Sequence, residues 1–74
     1  MDESELIARY QAGERDFRWV SLVRADLSEV DLSGINLSGS DLQGANLRAA
    51  RLRGASLETA DLTMADLTDA DLRD

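Results

Sequence analysis

From Phe17 onward an apolar residue returns at every fifth position. The series runs Phe17, Leu22, Leu27, Leu32, Leu37, Leu42, Leu47, Leu52, Leu57, Leu62, Leu67 and Leu72, twelve positions without a slip. Two residues before each stands a smaller side chain: Val20, Ala25, Val30, Ile35, Ser40, Ala45, Ala50, Ala55, Ala60, Ala65 and Ala70, with Arg15 breaking the set at its start. Between the two sets lies Asp or Asn in most repeats, as at Asp16, Asp26, Asp31, Asn36, Asp41, Asn46, Asp61, Asp66 and Asp71. A period of five suits neither a helix nor a strand. Five residues turn an α-helix by about 500°, which would smear the leucines around its circumference. A plain strand would send successive leucines to opposite faces. A five-residue unit that forms one side of a closed coil keeps every leucine inward, and stacked coils bury a continuous core through neighbour contacts alone. The competing reading, a low-complexity Ala/Asp/Leu tract, does not account for twelve hits in phase.

Composition narrows the function. The chain has 74 residues, a net charge of −7, and no Lys, His, Cys or Pro. A core this small is marginal without staples, and disulfides are excluded. Without His or Cys there is nothing for a zinc site, an imidazole base or a thiolate nucleophile. Without Lys there is no Schiff-base chemistry. Any catalysis would rest on carboxylates in a chain too short to build much of a cleft, so we expect no enzyme, no small-molecule substrate, no cofactor and no metal. The Asp columns lack an EF-hand loop or a Gly-Asp nonapeptide for calcium. The acidic balance argues against direct binding of nucleic acid, which needs basic surface. No apolar run approaches a membrane span. The start, Met1-Asp2-Glu3-Ser4-Glu5, lacks the basic and apolar regions of a signal peptide, so a cytoplasmic protein is expected.

The phrases Ala25-Asp26-Leu27-Ser28, Ala45-Asn46-Leu47-Arg48, Ala60-Asp61-Leu62-Thr63 and Ala65-Asp66-Leu67-Thr68 resemble the pentapeptide repeat, A(D/N)LXX. The resemblance covers residues 15–74. It implies an all-β fold, a right-handed quadrilateral parallel β-helix with four pentapeptides and twenty residues per coil. Three coils of twelve repeats would fill residues 15–74, preceded by a capping segment over 1–14. The central Leu or Phe and the small residue two before it would point inward, with the other three positions facing solvent.

In that register one face stacks Phe17, Leu37 and Leu57. The next stacks Leu22, Leu42 and Leu62, the third Leu27, Leu47 and Leu67, and the fourth Leu32, Leu52 and Leu72. Asp31, Arg51 and Asp71 form an acid–base–acid column, and as exposed charges they contribute little to stability. Asp41 and Asp61 stack like on like. Asn46 separates Asp26 from Asp66. Gly34, Gly39, Gly44 and Gly54 fall at corners, where glycine tolerates positive φ. Ser40 puts a hydroxyl at an inward position, and the expectation is a small residue bonded to backbone.

The two ends differ. Asp2 followed by Glu5 resembles a capping box. Leu6, Ile7 and Tyr10 then share one helical face, and Gly13 suits a helix stop. A helix is expected over residues 3–12, lying across the base of the first coil, with Phe17 filling that base and Trp19 flanking the helix. At the other end the pattern supplies no cap, and Leu62, Leu67 and Leu72 face an uncovered top. Either the coil continues in a longer chain or the open end meets another protein. The simplest partner is a second copy, end to end about a two-fold axis.

The function expected is a non-catalytic structural or protein-interaction module, with a protein partner and a C-terminal end-to-end homodimer as its simplest assembly. The family offers an alternative, because some members resemble duplex DNA in shape and charge, bind type II topoisomerases such as gyrase, and confer quinolone tolerance. The net charge and an acidic surface at Asp61, Asp66, Asp69 and Asp71 agree in sign with that reading. Against it, Arg48, Arg51 and Arg53 leave the second coil net positive.

Overall fold

The computed structural model describes all 74 residues. One helix, α1 (Glu3–Gln11), precedes the repeats. Asp2 is its N-cap, and its carboxylate accepts from the Glu5 N–H at 2.8 Å, which satisfies one orphan donor of the first turn. Glu5 does not reach back to Asp2. Its carboxylate instead accepts from Arg9 one turn on, at 3.4 Å. The helix ends at Gln11, with Ala12 as C-cap. Gly13 adopts φ 105°, its N–H donates to the Tyr10 carbonyl at 2.9 Å, and the Glu14 N–H reaches back to Arg9 at 3.1 Å. These two bonds make a Schellman stop, for which glycine is the natural residue.

Beyond α1 the chain winds as a β-helix. Parallel bridges join Asp16 to Asn36, Ser21 to Asp41, Asp26 to Asn46 and Asp31 to Arg51, and then each upper partner to the residue twenty further on. The bridges therefore fall in four columns. One residue pair per side is in bridge register, so no side grows into a regular strand. Three bonds recur in each repeat from Phe17 to Leu52. Around Leu27, the Leu27 N–H donates to the Asn46 carbonyl at 2.8 Å, the Glu29 N–H to Arg48 at 2.9 Å, and the Asn46 N–H back to Ala25 at 2.8 Å.

Each side ends in a four-residue turn. The N–H three residues after the central Leu donates to that Leu's carbonyl, as Ala25 does to Leu22 at 3.0 Å and Ala45 to Leu42 at 3.0 Å. The third residue of every turn is left-handed. Glycine meets this at Gly34, Gly39, Gly44 and Gly54, with φ between 69° and 75°. The glycines read from the sequence are a minority of such sites. Trp19, Arg24, Glu29, Ala49, Thr59, Met64 and Asp69 adopt φ from 57° to 62°. An L-residue there costs about 1–2 kcal/mol. In the lower levels the cost is offset by a ladder bond from the strained residue itself, as Arg24 N–H donates to Gln43 at 2.9 Å.

Inside the coil, Phe17, Leu22, Leu27, Leu32, Ile35, Leu37, Leu42, Leu47 and Leu52 form one buried cluster with Ala25, Ala45 and Ala50, which Leu6 of α1 joins. Leu57, Leu62 and Leu67 are only partly buried against it, and Leu72 is 50% exposed. Burial thus fades along each leucine column toward the last level.

Candidate interaction surfaces

The base of the coil is covered by α1. Leu6 is fully buried, and Met1, Ile7 and Tyr10 pack partly against the core. The covering also engages the exposed ladder edge. The Tyr10 hydroxyl donates to the Ser33 carbonyl at 2.7 Å, and the Met1 ammonium to the Ser21 carbonyl at 3.2 Å. Phe17 is buried beneath this layer, and the Arg9 guanidinium lies 5.1 Å from its ring centroid. Arg15 stacks on Tyr10 at 3.7 Å and donates to the Tyr10 carbonyl at 2.8 Å. Trp19 does not join this layer, contrary to expectation. Its left-handed backbone turns the side chain up the outer wall, where it is 75% exposed and lies over Gly39 of the next level.

The opposite end is open. In lower levels the central Leu N–H donates to the level above, but those of Leu57, Leu62 and Leu67 make no backbone bond. Partly buried Leu62 and Leu67, half-exposed Leu72 and the largely bare Met64 (87% exposed) give this end an apolar character.

The Asp and Asn columns have a local task that the sequence reading missed. Each carboxylate or amide oxygen folds over its own repeat and accepts from the residue two further on. Asp26 accepts from the Ser28 N–H at 3.1 Å and hydroxyl at 2.7 Å, and Asp61 accepts likewise from Thr63 at 3.0 and 2.6 Å. Asp31 with Ser33, Asn36 with Ser38 and Asp66 with Thr68 repeat the pattern. The signal was available as Asp/Asn-x-Ser/Thr at fixed phase, the spacing of an Asx-type turn. The bonds hold these carboxyls below their ordinary range. For Asp26, Asp61 and Asp66 the hydroxyl is the first cause and the backbone N–H the second. Asp71 is pulled down to about 2, chiefly by Arg73, which forks onto it at 2.8 and 2.7 Å.

This local pairing corrects the column reading at Arg51. Asp31 and Asp71 flank Arg51 in the bridge register. Their closest bonds, however, go to Ser33 and Arg73, and Arg51 makes no ion pair. Arg51 only adds a minor lowering to Asp31, behind the Ser33 bonds. The four carboxylates of the acidic surface are also unevenly free. Asp66 lies 3.8 Å from Arg48 and Asp71 is paired with Arg73, which leaves Asp61 and Asp69 without cations. Half of that surface is therefore neutralised locally, which weakens its likeness to a phosphate array.

Ser40 is the one buried polar side chain. Its hydroxyl donates to the Phe17 carbonyl at 3.0 Å and accepts from the Val20 N–H at 3.2 Å. Those two groups would otherwise close the first turn on each other, so the hydroxyl is inserted in an opened turn one level below. No group of three or more Asp or Glu is arranged to hold a metal ion, and no helix is long and apolar enough to cross a membrane.

The family described as "Pentapeptide repeats (8 copies)" matches this chain twice, over residues 16–39 and 40–74. No curated protein matches significantly. Among solved structures, the chain is similar to the crystal structure of a pentapeptide repeat protein from Nostoc PCC 7120, at 36% identity and a TM-score of 0.59. That alignment covers 96% of this chain and 75% of the other. The five-residue period, the bridges twenty residues apart and these two likenesses agree: the chain belongs to the pentapeptide repeat family.

Proposed function

We propose that the chain is a non-catalytic protein-interaction module. In this reading residues 15–74 are a three-coil, right-handed quadrilateral β-helix, and residues 1–14 are its cap. The open last coil joins a second copy end to end. The observation that carries the reading is the asymmetry of burial. Leu32 and Leu52 are buried while Leu72, in the same column, is 50% exposed. A second copy would cover Leu62, Leu67 and Leu72 and offer partners to the free N–H edge, which an isolated end leaves to water. The lack of His, Cys and Lys supports a non-catalytic role.

With Asp71 paired to Arg73, Asp69 and Asp74 bring uncompensated like charge to the rim of this interface, so added salt should tighten the dimer rather than loosen it. Light scattering over a concentration series tests the proposal. A dimer is expected that loosens on Leu72→Asp and tightens with salt. A wild-type chain that stays monomeric at all concentrations would overturn it.

A further inference from the structure

We propose that the groove beside Trp19 binds an arginine side chain of a basic protein segment. The inference rests on reading the chain as an interaction module, but not on self-association. Trp19 is the only tryptophan in the chain and is 75% exposed. A single exposed apolar side chain is ordinary. A tryptophan held as a platform is less so. Its N–H donates to the Ser38 carbonyl at 3.1 Å, which anchors the backbone. Its six-membered ring lies against Gly39 so closely that a Cβ there would fall 2.3 Å from Cζ3 and 2.4 Å from Cε3. The side of the ring away from Gly39 is left to water. No other glycine of the chain supports an aromatic ring in this way.

The polar groups of the surrounding open groove of about 780 Å³ are mostly engaged. Arg18 is forked onto Asp16 at 2.9 and 3.0 Å. The Ser38 hydroxyl donates to Asn36 Oδ1 at 2.7 Å and lies 2.8 Å from the Ser56 hydroxyl, so the three close on one another. Glu58 lines the same groove, and its carboxylate has neither a hydrogen bond nor an ion pair. What the groove leaves unmet is therefore an aromatic face and one carboxylate. A planar guanidinium satisfies both, by stacking on the ring and forking onto the carboxylate.

The chain's other two aromatics each already have an arginine over the ring, and one of those arginines is also held by carboxylates. Arg15 lies over Tyr10, and Arg9 lies over Phe17 while pairing with Glu14 and Glu5. Trp19 and Glu58 line one groove and offer a ring and a carboxylate, as Phe17 and Glu14 do to Arg9, with no arginine between them. A sugar would need the hydroxyls that are already bonded to each other. An anion would be repelled by Glu58 and by the net charge of −7.

Trp19 is its own reporter. Its fluorescence, titrated with a capped tripeptide carrying two arginines, should change saturably. Glu58→Gln keeps the reporter and the backbone ladder, and should weaken binding roughly tenfold, as expected for loss of a charge-assisted bond. Methyl glucoside and inorganic phosphate should leave the signal flat. Equal binding by Glu58→Gln, equal binding of the lysine version of the peptide, or a response to the sugar or the anion instead would each overturn the proposal. Peptide binding by a monomeric Leu72→Asp chain would show that this site stands even if self-association fails.

Discussion

Ser40 shows how far a single residue departs from what its repeat position suggests. At this position the repeats at Leu27, Leu47, Leu52, Leu57, Leu62, Leu67 and Leu72 carry alanine. Repeat logic therefore makes Ser40→Ala a regularising, stabilising change. The geometry argues the reverse. The hydroxyl is buried and serves both the Phe17 carbonyl and the Val20 N–H, the two groups of a turn that is not closed directly. Alanine would leave both without a partner in an almost dry site, at a cost of about 1–3 kcal/mol. Urea unfolding of Ser40→Ala should show a lower midpoint at unchanged slope. An unchanged or higher midpoint would mean that the turn closes on itself once the hydroxyl is gone. The sequence showed a small polar residue facing inward. It did not show which backbone groups would meet it, because the opened turn lies twenty residues away.

At the scale of the five-residue repeat, the pattern declares the inward residues and, through Asp/Asn-x-Ser/Thr at fixed phase, the bond that folds many corners, but conceals the left-handed backbone there. The leucine spacing locates every side of the coil, since only a closed winding keeps a period of five on one face. The left-handed third position is hidden because so many residue types occupy it, from Gly34 to Arg24 to Met64. What most corners share is an Asx-type bond in which the residue after the leucine donates to the Asp or Asn before it, as Thr68 does to Asp66. That bond gives the repeat a pH dependence of known sign. Asp26, Asp31, Asp61 and Asp66 have folded-state pKa values below the ordinary one, held there first by Ser or Thr hydroxyls. Asp71 is held at about 2 by Arg73. A depressed carboxyl contributes stability above its unfolded pKa of about 3.9 and loses it as pH falls toward the folded value. The urea midpoint should therefore drop between pH 5 and pH 2, with Asp71 titrating last. Relief of the −7 net charge on protonation acts in the opposite direction, so the sign is a real test. A double change of Asp61 and Asp66 to Asn keeps the acceptor oxygen, as Asn46 does for the Arg48 N–H, and should flatten the decline. A midpoint that holds steady or rises into acid would show that these bonds do not govern the corners.

For the molecule as a whole, the sequence treats every coil alike and the structure does not. Leu32, Leu52 and Leu72 are the same residue at the same phase of the same column. The first two are buried and the third is half exposed, because α1 covers one end and nothing in this chain covers the other. Periodicity cannot express this, since a residue's level depends on its distance from an end and not on its neighbours in the repeat. The consequence is a gradient of mutational cost along one column. Leu52→Ala opens a cavity in a region that packs from both sides, and should cost about 2–5 kcal/mol. Leu72→Ala removes a side chain already half in water, and should cost about 1 kcal/mol in a dilute monomer. The two variants separate a core role from an interface role when unfolding is followed at several protein concentrations. The Leu52→Ala deficit should be the same at each concentration, whereas the Leu72→Ala deficit should grow as the wild type is concentrated, because association adds stability by mass action. Equal and concentration-independent deficits would place Leu72 in an ordinary core and remove the reason for a second copy at that end.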